Sequence, residues 1–134
     1  MRYVLDASVA VAAIRTTEPG HVAALARCMD LFSGRDEIVV PALFDVEVTA
    51  ALVRRGISLT RVDTFLNKHL ASRVLVTVGP RAARSVRRVV AATHLRAADA
   101  LYVWVADRAG LELVTADQEV IARAPLAGVC AVAP

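Results

Sequence analysis

The sequence predicts an α/β domain of three layers, with helices on both faces of a parallel central sheet. Three observations carry this. Short apolar runs of strand length alternate with helical stretches along the whole chain. No linker, repeat or low-complexity segment divides it. At 134 residues, a single domain spanning 1–134 can bury about two-thirds of its unfolded surface in one core.

The elements follow in order. Tyr3-Val4-Leu5 is a first strand, ended by Asp6-Ala7-Ser8, and Val9 to Ile14 is a short helix with Ser8 as its expected N-cap. Thr17 to Gly20 is a turn. His21 to Phe32 is an amphipathic helix that should bury Val22, Leu25, Ala26, Met29 and Phe32. Glu37 to Val40 is a second strand, and Pro41 should open the next helix, Ala42 to Arg54. Ser58 or Thr60 caps a fourth helix to about Ala71, with Leu59, Val62, Phe65, Leu66, His69 and Leu70 as its apolar stripe. These two helices should form an antiparallel hairpin. Val74 to Thr77 is a third strand, and Gly79-Pro80 opens a helix to about Leu95 whose inner face is Ala82, Ala83, Val86, Val89, Val90 and Thr93.

The stretch from Arg96 to Asp117 organises the rest. Leu101 to Val105 is apolar with no polar face, so this helix should be buried nearly all round, and Gly110 is its stop signal. Leu111 to Val114 is then a strand, left through Thr115-Ala116-Asp117. A short helix to Ala122 leads past Pro125 and Gly128 to a last strand, Val129 to Val132.

Composition narrows the class. The chain is 57% hydrophobic, yet no apolar run approaches the roughly 18 residues of a membrane span. Asp6 interrupts the amino-terminal apolar stretch too early for a signal peptide, so a cytoplasmic protein is expected. Cys28 and Cys130 suit neither a disulfide framework nor a zinc site and read as core filler. The net charge is +3, and every basic side chain but Lys68 is arginine. Arginine binds phosphate bidentately where lysine acts as a point charge; a GC-rich genome enriches arginine as well. Arg81, Arg84, Arg87 and Arg88 line one side of their helix, either as a solvated face or as a phosphate-tracking patch. His21, His69 and His94 share no ligand spacing.

Four carboxylates stand out. Asp6 and Asp117 leave strands at their carboxyl ends, where sites form in parallel sheets. Glu47 lies on the apolar face of its helix, at helical spacing from Leu43, Ala50 and Ala51. Asp99 opens the buried helix. Each has an ordinary explanation, as a cap or an edge salt bridge. Gathered in one pocket they repel unless a cation joins them, and oxygen-only ligands favour Mg²⁺ or Mn²⁺.

At these residues the chain resembles PIN domains, and in particular the VapC-type toxins of prokaryotic toxin–antitoxin pairs. The matching segments are VLDASV around Asp6, VPALFDVEVTAAL around Glu47, RAADALYVWVA around Asp99 and LVTAD ending at Asp117. They span almost the whole chain. The resemblance implies a three-layer α/β/α PIN-like fold with a parallel central sheet. It also implies that Asp6, Glu47, Asp99 and Asp117 form an acidic quartet, with Ser8 and Thr115 as hydroxyls that orient it. The implied activity is a Mg²⁺-dependent endoribonuclease, usually a homodimer, silenced by a cognate antitoxin that occludes the cleft.

The chemistry agrees with that expectation. A divalent ion on Asp6 and Asp99 would activate a water and polarise the scissile phosphate, while Glu47 and Asp117 hold a second ion or orient the water. Such cleavage leaves a 5′-phosphate and a 3′-hydroxyl. An aspartyl-phosphate enzyme would also place Asp6 after the first strand, but its supporting lysine is missing, because Lys68 lies within an amphipathic helix. A non-catalytic RNA- or partner-binding module, and a DNA-directed metal nuclease, stand as alternatives.

Overall fold

Five parallel strands form one sheet in the order β3-β2-β1-β4-β5. A computed structural model describes residues 1–134. The strands are β1 (Arg2–Leu5), β2 (Glu37–Pro41), β3 (Arg73–Val76), β4 (Leu113–Val114) and β5 (Ala131–Val132). The helices are α1 (Ala7–Ile14), α2 (His21–Phe32), α3 (Leu43–Val53), α4 (Leu59–Thr64), α5 (Pro80–Thr93), α6 (Ala97–Ala109) and α7 (Gln118–Arg123). No helix is long and apolar enough to cross a membrane.

The order of the strands positions everything else. From β1 the chain steps outward to β2 and β3, then returns past β1 to β4 and β5. Crossovers between parallel strands are right-handed, so helices following β1 and β2 cover one face and those following β3 and β4 the other. The direction reverses between β1 and β4, paired at Val4–Leu113 and Leu5–Val114. In open sheets of this kind that reversal is the usual place for a site.

Burial on both faces explains the apolar runs. Tyr3, Val4 and Leu5 are buried, as are Ile38 to Pro41, Leu113 and Val114. Edge strand β3 leaves Val74 and Leu75 partly exposed. Helix α6 buries Tyr102 to Ala106 and stops at Gly110 in the left-handed conformation, as its sequence requires. Pro80 opens α5 at its first turn, and His94 closes it with a φ of 57° where glycine would be usual.

Several local expectations change. Asp6, not Ser8, caps α1, because its carboxylate accepts the Ser8 N–H. Pro41 ends β2 opposite Val76 rather than opening α3; at a strand's last position its missing N–H interrupts no ladder. In α2 the buried stripe is Ala24, Cys28 and Leu31, rotated from the expected one, and Val22 and Met29 face outward. Leu59 is exposed, and α4 passes into a π-helical turn, Phe65–His69, that buries Phe65 and Leu66 while His69 stays exposed against the rings of Phe32 and Phe65. Strands β4 and β5 are shorter than their apolar runs. Cys28 is buried, but Cys130 is exposed.

Arg73 clamps the hairpin to the sheet. Its guanidinium forms a bidentate pair with Asp45 at 2.8 and 2.9 Å and also donates to the Leu66 and Leu70 carbonyls. The Leu66 carbonyl of the π turn and the Leu70 carbonyl just after it thereby gain a donor. Asp45, two residues before Glu47, is committed to this pair.

Candidate active site

The first carboxylate is placed by the end of β1. Asp6 N–H donates to the Val114 carbonyl at 3.0 Å, so the residue leaves the sheet at the β1–β4 junction. One carboxylate oxygen accepts the Ser8 N–H at 3.1 Å and the other accepts the Thr115 hydroxyl at 2.8 Å. Thr115 is fully buried, and its Oγ1 also accepts the Asp117 N–H at 3.1 Å. One hydroxyl thus orients the residues ending both central strands. Asp117 caps α7, with Oδ1 accepting from the Glu119 N–H at 2.8 Å and the Val120 N–H at 3.4 Å. Its other oxygen has no protein donor. The Ser8 hydroxyl forms no hydrogen bond within the chain and lines the same cavity as Asp6 and Glu47.

Glu47 arrives from α3, on the flank of the stripe Phe44, Val48 and Leu52. Its Oε1 accepts the Tyr102 hydroxyl at 2.7 Å, a bond from the opposite side of the sheet. Burial pushes the Glu47 pKa up, and the charges of Asp6 and Asp99 push it further, against the lowering effect of the Tyr102 bond. Asp99 lies in the first turn of α6. Its pKa is also raised, by burial first and then by Asp6 and Asp117, with Arg96 opposing. Tyr102 is raised as well, by burial and by Glu47, so its hydroxyl stays protonated.

The four carboxylates therefore lie in one another's fields at the carboxyl edge of β1 and β4. None takes part in any of the protein's salt bridges. In donor type and in uncompensated charge they suit a hard divalent cation. They are not drawn into a group of three or more that would by itself enclose an ion. Asp6, Ser8 and Glu47 share a cavity of about 220 Å³ with Glu18 and Arg55.

The arginines of α5 stand apart from this cavity. Arg81, Arg84, Arg87 and Arg88 are exposed. Arg81 and Arg88 line separate shallow clefts that include Trp104 and Arg108, in the carboxyl-terminal half of α6 and away from Asp99. Sequence reasoning missed two features. The place of Arg55 beside the acids is one, although Glu47, Ala51 and Arg55 follow a four-residue spacing that puts them on one face. Tyr102 was read only as part of a buried run; a buried tyrosine hydroxyl needs a partner, which was the available signal.

Comparison with known proteins bears on this arrangement. The PIN domain family profile matches residues 3–125. Among solved structures, the chain is similar to PAE2754 from Pyrobaculum aerophilum, with 27% identity, a TM-score of 0.66, and 98% of this chain and 92% of that one covered. It is also similar to FitAcB from Neisseria gonorrhoeae, at 16% identity and a TM-score of 0.69 over 98% of this chain and 96% of that one. A third likeness is to VapBC2 from Rickettsia felis, solved bound to a DNA fragment from its promoter, at 16% identity and a TM-score of 0.66 over 99% and 98%. No curated protein sequence matches the chain.

Proposed function

The chain belongs to the PIN domain family, and from that premise we propose that it is a Mg²⁺-dependent endoribonuclease and the toxin of a toxin–antitoxin pair. In this reading residues 1–134 act as one nuclease domain in the cytoplasm, and Mn²⁺ can replace Mg²⁺. The observation that carries it is the set of four carboxylates without ion-pair partners at the β1–β4 switch, where burial first and then their neighbours' charge raise Glu47 and Asp99.

Asp6 and Asp99 would hold the ion, whose chemistry is Lewis-acid polarisation of the phosphate and acidification of water. The remaining roles belong to the chain's own groups. Thr115 fixes one Asp6 oxygen and the Ser8 N–H the other, which aims the remaining lone pairs outward. Tyr102 holds Glu47 from one side, leaving Oε2 free to orient or accept a proton from the attacking water. Asp117 keeps one oxygen free for the same water or a second ion. Ser8 adds a free hydroxyl at the cavity's edge.

The partners proposed are an RNA substrate, a second copy of the chain and a cognate antitoxin. Support for the last comes from relatives whose structures are of the VapBC2 and FitAcB assemblies. The test is incubation of the purified chain with total RNA, then sequencing of the new ends. Cleavage with 5′-phosphate ends in Mg²⁺, absent in EDTA and in Asp99→Asn, is the expected result. Cleavage of DNA alone, or intact RNA under all conditions, would overturn it.

A further inference from the structure

At the rim of the acid cavity Glu18 holds two arginines, a cluster used neither by the fold's core nor by the chemistry above. Arg55 Nη2 lies 2.8 Å from Glu18 Oε1, and Arg55 Nη1 donates to the Ala51 carbonyl at 2.8 Å. Arg15 reaches the same Glu18 oxygen through Nε at 3.3 Å. A guanidinium carries five N–H donors, so Arg55 keeps several without a protein partner. Its side chain is 39% exposed. It lines both the cavity of Asp6, Ser8 and Glu47 and, with Arg54, an open cleft on the far side of Glu47.

We propose that Arg55 receives a phosphate of the substrate strand beside the one that is cut, the strand leaving the acids over Arg54 and Arg55 at the end of α3. This rests on the nuclease reading above. A cavity lined by Asp6, Glu18 and Glu47 repels a phosphodiester, and Arg55 is the only cation lining it. The arginine fork matches two phosphate oxygens at once. The shared Glu18 oxygen makes the exchange inexpensive. When Arg55 turns to phosphate, Arg15 still pairs Glu18, and no half-buried carboxylate is stranded.

The experiment measures binding of a mixed-sequence single-stranded RNA to Asp99→Asn protein over a salt series, alongside cleavage by the unmodified chain. Arg55→Gln is expected to weaken binding about tenfold and to reduce the log–log salt slope by about 0.7. Arg55→Lys should restore the slope but only part of the affinity, and it carries the test if Arg55→Gln fails to fold. Arg35→Gln, before β2 and so at the opposite edge of the sheet, should change neither. If the unmodified chain cleaves RNA and Arg55→Gln binds with the parent's affinity and slope, this inference falls and the nuclease reading stands. If the unmodified chain neither cleaves nor binds RNA, both fall.

Discussion

Tyr102 donates its hydroxyl to Glu47 across 2.7 Å, and this bond joins α6, on one side of the sheet, to α3 on the other. It spans the carboxyl edge where Asp6 and Asp117 emerge. It also favours the ionised form of Glu47, since it opposes the burial and like charge that raise that carboxyl.

Tyr102→Phe should therefore do two things. Loss of the bond should destabilise the fold by about 1 kcal/mol, the usual worth of such a bond. The Glu47 pKa should rise further, and the acid limb of the pH–rate profile should move to higher pH with it. Chemical denaturation and a pH series of RNA cleavage measure the two. An unshifted acid limb would mean that Glu47 does not ionise in the working step.

The raised carboxyls also predict a pH dependence of stability. Glu47 and Asp99 hold their protons to higher pH in the folded state than in the unfolded chain. Below the ordinary carboxylate range they cost nothing, and stability is lost as pH rises through their folded pKa values. Other acids contribute with their own signs, so the informative quantity is a difference. Asp99→Asn should gain stability relative to the unmodified chain as pH rises above the ordinary aspartate value of about 4, measured without divalent ions. A variant that loses stability instead would make Asp99 a structural group.

Adding the ion should reverse that cost. Mg²⁺ binding only the folded state stabilises by about 2.7 kcal/mol at a hundredfold excess over Kd. A raised melting temperature is expected for the unmodified chain and none for Asp6→Asn. Equal melts with Mg²⁺ and with EDTA would remove the metal from the mechanism.

Asp45 and Arg73 bear on how the site is held rather than on what it does. The pair is bidentate, Arg73 is only 12% exposed, and the same guanidinium serves the Leu66 and Leu70 carbonyls. Arg73→Ala should cost about 3 kcal/mol, because it strands the Asp45 carboxylate and the Leu66 carbonyl, while the Leu70 carbonyl keeps the backbone N–H of residue 73. Arg73→Lys should recover little, having one charge but no fork. Urea denaturation of the two variants measures this, and near-native stability of Arg73→Lys would show that charge alone suffices.

Much of this arrangement was legible in the chain because it follows from strong local signals. Continuous apolar strands require a doubly covered parallel sheet, and Gly110, Pro80 and Ser58 punctuate their helices as their backbone chemistry demands. Asp6 and Asp117 were conspicuous as acids at strand ends. The face of α2 was not legible, because Val22, Met29 and their neighbours offer nearly as good a stripe as Ala24, Cys28 and Leu31. Small side chains allow close packing against α1, and only tertiary context selects them. The π turn was hidden for a similar reason, since its Leu66 carbonyl accepts from Arg73 of another element. A buried tyrosine hydroxyl announces that it needs a partner, but nothing local to Tyr102 names Glu47, 55 residues away in sequence.

The arginines of α5 provide the last test, and the fold sets its terms. Arg81, Arg84, Arg87 and Arg88 are exposed on the side of α5 away from Val86 and Val89, and two of them neighbour Trp104 and Arg108 rather than Asp99. A strand that reached them from the acids would have to run along α6, whereas Arg54 and Arg55 border the cavity directly. Were the α5 face a phosphate track, each Arg→Gln change would lower the salt slope of RNA binding by about 0.7, similarly for unrelated sequences. If it is only a solvated face, neutralising these four should leave the slope nearly unchanged, while Arg55→Gln lowers it. Binding to Asp99→Asn protein over a salt series separates the two. A loss of slope at the four α5 positions, with none at Arg55, would move the substrate path across the molecule to α5 and α6.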